Sequence, residues 1–137
     1  LSPYTRCHNY THIGLDKSML RHAEDTMVGV LIEGKEGIEN LSEIVQVDGI
    51  DLIYLGMYDI SQAVGLPGQL ESPEVMEQLE NCLKIIKSSN KFSGTFSRNI
   101  KTCKIFKKMG FNFIAYVADS YALNSYYSEA VNDFSIK

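Results

Sequence analysis

Apolar residues along this chain follow two different periods that alternate. Short apolar runs of strand length occur at positions 27–33, 51–56, 92–96 and 111–117. Between the first two runs, residues 37–45 place Ile38, Leu41, Ile44 and Val45 at the three- and four-residue spacing of an amphipathic helix. A strand, a helix and a second strand within about 30 residues indicate a βαβ unit. The pattern therefore predicts four consecutive βα units.

Local signals mark where the later helices begin and end. Ser72-Pro-Glu places a cap, a proline at the first position and an acid in the first turn, and predicts a helix running to about Ser89. Asn99 is a capping residue for a helix that continues to Met109 and stops at Gly110. The aromatic segment 121–134 is the last predicted helix, and 60–68 is predicted as a short helical turn followed by a loop.

Two acidic residues follow the first two predicted strands, Glu33 directly and Asp59 a few residues beyond. Parallel strands place their carboxyl ends on one edge, and neighbouring strands lie about 4.8 Å apart, so both carboxylates could reach one ion. Two carboxylates plus water are the usual protein share of a Mg²⁺ site. The alternative is that Glu33 is an ordinary strand-end acid and Asp59 caps the next segment.

Parallel strands also limit the architecture. Right-handed crossovers produce either a doubly wound sheet or part of a (β/α)₈ barrel, and in both the functional edge lies at the carboxyl ends of the strands. Glu33, Asp59, Phe96 and Asp119 are all predicted at that edge. The fold class predicted from the pattern is α/β.

Length, composition and net charge limit the number of domains and the classes of protein to which the chain can belong. A chain of 137 residues with 45% hydrophobic and 22% charged residues is expected to form a single globular domain, with a loop and short helix over 1–26 and four βα units over 27–137. A net charge of −4 argues against a nucleic-acid surface. No apolar run approaches the roughly 20 residues that span a membrane. Residues 1–12 lack the apolar centre of a signal peptide, so we expect a cytoplasmic protein.

Cysteine and histidine usage predicts no additional chemistry. Cys7, Cys82 and Cys103 are odd in number and widely spaced, which argues against a disulfide framework or a structural zinc site. Cys82 and Cys103 fall on apolar helix positions and are expected to fill core space. His8 and His12 lie in a polar segment and are expected to be surface residues.

Three stretches carry a resemblance to a known family. They are LIEGKEGIENLSEI at 31–44, GIDLIYLG at 49–56 and YDISQ at 58–62. Together they resemble the HpcH/HpaI class II aldolases, which are metal-dependent pyruvate aldolases such as 2,4-dihydroxyhept-2-ene-dioate aldolase. The resemblance continues through GLPG at 65–68 and SPEV at 72–75 to Asp119. The family's interval between its metal-binding Glu and Asp is reproduced by the 26 positions (59 − 33) from Glu33 to Asp59.

This resemblance implies a fold and a metal site. The implied fold is a (β/α)₈ barrel of the phosphoenolpyruvate/pyruvate superfamily type, of which this chain would be the carboxyl half, carrying the fifth to eighth strands. Glu33 and Asp59 would coordinate Mg²⁺, Mn²⁺ or Co²⁺. The backbone of Gly56, Met57 and Tyr58 would hold pyruvate. The family usually has Pro where Met57 stands, and loss of that rigid φ could loosen the loop.

The resemblance also places residues around the pocket for the aldehyde part of the substrate. Phe96 would line the aldehyde pocket, where it is bulkier than the aliphatic residue usual in the family. Ala118 would contribute to substrate binding, and Asp119 would lie at the rim of the pocket that faces a neighbouring subunit. A homo-oligomer with an exchanged last helix is implied.

The implied reaction is reversible cleavage of a 4-hydroxy-2-oxo acid to pyruvate and an aldehyde, a carbon–carbon lyase activity. The family's general-base His and pyruvate-binding Arg belong to the first half of the barrel, so this chain alone is expected to lack them. One alternative is a non-catalytic half-barrel that serves as a scaffold or assembly partner. A further alternative is a lyase of the citryl or malyl type that acts on an acyl-CoA.

Overall fold

A computed structural model describes residues 6, 10 and 25–135. Four strands form one parallel sheet in the order β1-β2-β3-β4. The strands are β1 Gly29–Ile32, β2 Leu52–Leu55, β3 Phe92–Ser97 and β4 Phe113–Tyr116. Sequential order in a parallel sheet means that every crossover steps to the adjacent strand, as in a barrel, rather than reversing direction as in a doubly wound sheet.

Helices follow each strand, which confirms the predicted alternation. They are α1 Lys35–Glu39, α2 Leu41–Ile44, α3 Met57–Ala63, α4 Pro73–Lys87, α5 Ile100–Met109 and α6 Asp119–Phe134. None of the helices within the described ranges is both long and apolar enough to cross a membrane. The short helix predicted within 1–26, together with Cys7, His8 and His12, lies outside the described residues.

The predicted caps of α4 and α5 are formed. The Ser72 hydroxyl accepts a hydrogen bond from the Val75 backbone N–H at 3.3 Å. The Asn99 side chain accepts one from the Thr102 N–H at 2.9 Å. Gly110 ends α5 in the left-handed conformation with φ +98°, which a glycine adopts without steric cost.

Two helical predictions need correction. The single helix predicted over 37–45 is divided at Asn40, whose φ of −91° and ψ of 4° leave the α region. Asn40 ends α1 by donating its N–H to the Glu36 carbonyl, and its own carbonyl accepts from Ile44 in α2. The second correction concerns α3, which begins at Met57 rather than Ile60. Gly56 is extended and directly precedes the helix, so the predicted site loop is the first helical turn.

The core lies between one face of the sheet and the helices. Alternate strand residues point into it, because side chains of a strand alternate between its two faces. The fully or almost fully buried members include Ile32, Ile53, Leu55, Val75, Leu79, Ile86 and Phe106. Cys82 is 1% exposed in this core, and burial raises the pKa of its thiol. Cys103 is partly buried.

The opposite face of the sheet is apolar and remains accessible. Leu31, Phe92 and Phe113 are 52%, 54% and 45% exposed. The rings of Tyr54 and Phe113 meet edge to face at 6.2 Å over Gly94. A Cβ at Gly94 would lie 2.8 Å from the Tyr54 ring, so only glycine fits beneath these aromatics. We call this face, which carries Leu31, Tyr54, Phe92 and Phe113, the inner face.

Candidate functional site

The carboxyl ends of the four strands form one edge of the sheet. Glu33 follows β1, Gly56 follows β2, Arg98 follows β3 and Val117 follows β4. This common edge follows from the parallel pairing of all neighbouring strands. The residues predicted to form the site therefore follow strands that end at the same edge of the sheet.

Glu33 and Asp59 line the same open cleft, of about 410 Å³. The Glu33 side chain lies across Gly56, because a Cβ built at Gly56 would be 3.0 Å from the Glu33 Cβ and 3.4 Å from its Oε2. Glycine at this position therefore leaves the space that the Glu33 carboxylate uses. Glu33 and Asp59 thus line one cleft at the carboxyl edge of the sheet.

The donor set of this cleft fits a hard divalent cation. Two carboxylates supply anionic oxygen ligands, and the open cleft leaves room for water or substrate oxygens, as Mg²⁺ prefers. No cluster of three or more histidine, cysteine or acidic residues suited to a metal ion occurs in the described ranges. Lys35 also lines the cleft, but its ammonium lies 3.7 Å from the Glu39 carboxylate on the same helix.

The first turn of α3 presents hydrogen-bond donors beside these carboxylates. Gly56 donates its N–H to the Ile32 carbonyl at 2.9 Å, and its own carbonyl accepts from Ile60. The N–H groups of Met57 and Tyr58 have no acceptor among the described residues. The first N–H groups of a helix lack an intrahelical partner, so they are available to an anionic oxygen.

The Ser61 hydroxyl links this turn to the following loop by two hydrogen bonds. Its side chain is fully buried, donates to the Tyr58 carbonyl at 2.5 Å and accepts from the Gly68 N–H at 2.9 Å. One hydroxyl thus joins the site turn to the loop at 65–68. No role was predicted for Ser61 from the sequence, although a serine inside a helix before a GLPG turn can indicate a side-chain bond to the backbone.

Ser61→Ala is expected to lower the free energy of unfolding by about 1–3 kcal/mol, because the Gly68 N–H loses its acceptor in a part-buried site. Urea denaturation measures this change. Ser88→Ala is the matched control, since the Ser88 hydroxyl makes an exposed bond to the carbonyl three residues earlier. A loss for Ser61→Ala no larger than that for Ser88→Ala would contradict the proposed bridging role.

Phe96 and Arg98 lie beside the α3 turn at the end of β3. Phe96 is partly buried and lines a small gap together with Met57 and Arg98. The Arg98 guanidinium carbon lies 5.7 Å from the centroid of the Tyr58 ring, which is within cation–π distance. No role was predicted for Arg98 from the sequence.

Asp119 occupies a second cleft, of about 460 Å³, with Arg98, Tyr116 and Tyr121. It is the first residue of α6, and its Oδ1 accepts from the Ser120 N–H at 2.7 Å. Ala118 precedes the helix in extended conformation. The lining residues of this cleft do not include Glu33 or Asp59, so Asp119 belongs to a neighbouring part of the edge.

Val117 has a left-handed backbone, with φ +57°. This conformation costs an L-residue roughly 1–2 kcal/mol and is exceptional for a β-branched side chain. The Val117 N–H bonds to the Ser97 carbonyl at 2.9 Å, which holds the strained residue against β3.

We expect Val117→Gly to be more stable than Val117→Ala by about 0.5–1 kcal/mol, because only glycine adopts this φ freely. Both substitutions remove the branched side chain, so their difference isolates the backbone term. Urea denaturation of the two variants measures it. The usual order, with alanine more stable, would contradict backbone strain at this position.

Comparison with known proteins identifies the family. The family model described as HpcH/HpaI aldolase/citrate lyase matches residues 5–125. A 4-hydroxy-2-oxo-heptane-1,7-dioate aldolase of Salmonella heidelberg (strain SL476) is 33% identical over 120 residues, covering 87% of this chain and 42% of the relative.

Solved structures agree at the level of the fold. An HpcH/HpaI aldolase from Desulfitobacterium hafniense DCB-2 matches with a TM-score of 0.82 at 20% identity, over 94% of this chain and 51% of that protein. An aldolase/citrate lyase family protein from Burkholderia cenocepacia J2315 matches with a TM-score of 0.81 at 20% identity, over 99% and 52%. The chain thus spans about half the length of these relatives. Its four βα units confirm the predicted half of a (β/α)₈ barrel, and the chain belongs to the HpcH/HpaI aldolase/citrate lyase family.

Proposed function

We propose that this chain carries the metal-binding half of a lyase that cleaves 4-hydroxy-2-oxo acids to pyruvate and an aldehyde. The observation that carries the proposal is the shared cleft of Glu33 and Asp59, which lies beside the N–H groups at the start of α3 that have no acceptor among the described residues. A site for a 2-oxo acid needs these two elements, which are anionic ligands for a cation and donors for the acid's oxygens.

Glu33 and Asp59 would hold Mg²⁺, Mn²⁺ or Co²⁺. When bound, the ion supplies Lewis-acid polarisation of the 2-oxo group. The Met57 and Tyr58 N–H groups would donate to the substrate's anionic oxygens and orient it. Met57 is 2% exposed, so its side chain packs inward while its N–H remains at the helix start.

Bond cleavage needs one further group. When the C3–C4 bond breaks, the 4-hydroxyl loses its proton, the electron pair moves to C3, and C3 takes up a proton to give the methyl group of pyruvate. The described residues contain no histidine. We propose that the base and the arginine that binds the pyruvate carboxylate come from the part of the barrel that this chain does not span.

Phe96 would contact the aldehyde end of the substrate, and Ala118 and Asp119 would form the outer rim. The Salmonella relative is named for a heptane-1,7-dioate, which has a carboxylate at each end. We propose a substrate of this class for this chain.

The main alternative is a non-catalytic half-barrel that serves as scaffold or assembly partner. The observation that favours it is the accessible inner face, together with exposed aromatic residues on α6, where Tyr126, Tyr127 and Phe134 are 68%, 63% and 88% exposed. Large apolar surfaces of this kind favour association. We therefore propose a homo-oligomer, and a monomeric mass at micromolar concentration in sedimentation would contradict it.

The function is tested by metal-dependent pyruvate release from a 4-hydroxy-2-oxo acid, with and without the family's amino-terminal half-barrel supplied as a second chain. Release that needs Mg²⁺ or Mn²⁺ and is lost in Glu33→Gln supports the lyase. Glu36→Gln is the matched control, because Glu36 is an exposed acid of α1 outside the cleft. No release in either arrangement favours the scaffold, and release only from an acyl-CoA substrate favours the citryl or malyl type.

A further inference from the structure

Arg98 lies on the far side of β2 from Glu33. In the sheet order β1-β2-β3, Glu33 follows the first strand, the α3 turn follows the second and Arg98 follows the third. The α3 turn, which carries Tyr58 and Asp59, therefore lies between the acidic cleft and the guanidinium. A ligand anchored at Glu33 and Asp59 would have to extend across this turn to reach Arg98.

The Arg98 guanidinium lies over the ring of Tyr58. The guanidinium carbon lies 5.7 Å from the ring centroid, and stacking on an aromatic face orients the planar fork without using its N–H donors. Elsewhere in the described ranges, no residue accepts a hydrogen bond from this side chain or forms an ion pair with it. Arg98 thus presents its guanidinium N–H donors without an acceptor among the described residues.

The acids that line clefts together with Arg98 do not form an ion pair with it. Glu71 lines the small gap on one side and Asp119 lines the larger cleft on the other, yet neither forms an ion pair with Arg98. Asp119 already accepts the Ser120 N–H through one oxygen. The other cation near the metal cleft, Lys35, is engaged with Glu39.

We propose that Arg98 binds the distal carboxylate of the substrate and so selects 4-hydroxy-2-oxo acids whose aldehyde portion is anionic. The proposal rests on the proposed function, because the 2-oxo acid end must be anchored at Glu33 and Asp59. A planar guanidinium with free donors binds a carboxylate through two parallel hydrogen bonds. Phe96, beside Arg98, would contact the apolar carbons that precede that carboxylate.

The test compares two ligands that differ only at the distal end. 2-Oxoheptanedioate and 2-oxoheptanoate share the 2-oxo acid end and the chain length, and neither carries the 4-hydroxyl needed for cleavage. Isothermal titration gives both affinities, with Mn²⁺ present and with the family's amino-terminal half-barrel supplied as a second chain, because the arginine proposed to bind the pyruvate carboxylate belongs to that half. We expect the dioate to bind at least about tenfold more tightly than the monoacid.

Variants locate the source of this preference. Arg98→Gln should remove the preference while leaving the affinity for the monoacid unchanged, and Arg98→Lys should retain part of it. Lys101→Gln is the matched control, since it removes an exposed positive charge on α5 and should keep the full preference. Urea midpoints show whether each variant is folded.

The outcomes separate the two proposals. Equal binding of both acids by the wild type, or an unchanged preference in Arg98→Gln, overturns the role of Arg98 and leaves the proposed function intact. Absence of Mn²⁺-dependent binding of either acid overturns both proposals, because the anchoring end would then have no site.

Discussion

Glu33→Gln is expected to lower the affinity for Mn²⁺ by more than tenfold, and Asp59→Asn should do the same. Each substitution keeps the side-chain shape and removes one of the two negative charges in the cleft. Loss of a group that merely supports a metal ligand already costs about 10–100-fold in affinity. Loss of a ligand itself should cost at least as much.

The free Mn²⁺ signal in electron paramagnetic resonance measures this affinity during titration of the protein. Glu36→Gln is again the control, because it removes the same charge from the adjacent helix outside the cleft. If Glu36→Gln weakened binding as much as Glu33→Gln, the effect would reflect general attraction of cations to an acidic surface. Such a result would contradict a specific site.

Phe106→Ala is expected to lower the free energy of unfolding by about 3–5 kcal/mol, the range for truncating a fully buried aromatic residue. Phe106 is 0% exposed, and its ring meets that of Phe111 edge to face at 5.6 Å. These contacts join α5 to the segment that leads into β4. Alanine would leave a cavity in the core between the helices and the sheet.

Urea denaturation measures this change. Phe134→Ala provides the comparison, because Phe134 is 88% exposed on α6 and its removal should alter stability by less than about 0.5 kcal/mol. A loss below about 1 kcal/mol for Phe106→Ala would contradict the buried packing of Phe106 against Phe111. A large loss for Phe134→Ala would instead show that α6 is covered by another subunit.

The elements that the sequence predicted well have local causes. The strands, α4 and α5 are set by hydrophobic period and by capping residues such as Ser72 and Asn99, which act within three residues of themselves. The clustering of Glu33 and Asp59 in one cleft follows from parallel pairing, which the βαβ pattern already implied.

The features that the sequence did not predict depend on contacts or on backbone geometry. An asparagine is a weaker sequence signal for a helix break than a proline. The helical spacing of apolar residues also continues across Asn40 without interruption. The left-handed conformation of Val117 contradicts the local preference of its own residue type. Arg98 became a candidate only through its position over Tyr58, 40 residues earlier in the chain (98 − 58).

The hydrogen bonds of Ser61 are another feature that was not predicted from the sequence. Its hydroxyl joins a helix to a loop seven residues later. The serine before GLPG indicates a side-chain bond to the backbone, but its two partners are backbone groups that no side-chain pattern marks. The exposed inner face could be expected from the barrel resemblance. The shielding of Gly94 by two aromatic rings required the strand register.

The measurement that tests the central claim most directly is paramagnetic line broadening of the amide resonances by Mn²⁺. Broadening at low metal concentration should centre on Glu33, Gly34 and the turn 56–59, and it should disappear in the Glu33→Gln Asp59→Asn double variant. Broadening centred on any other acidic surface, or persisting unchanged in the double variant, would contradict a metal site formed by Glu33 and Asp59.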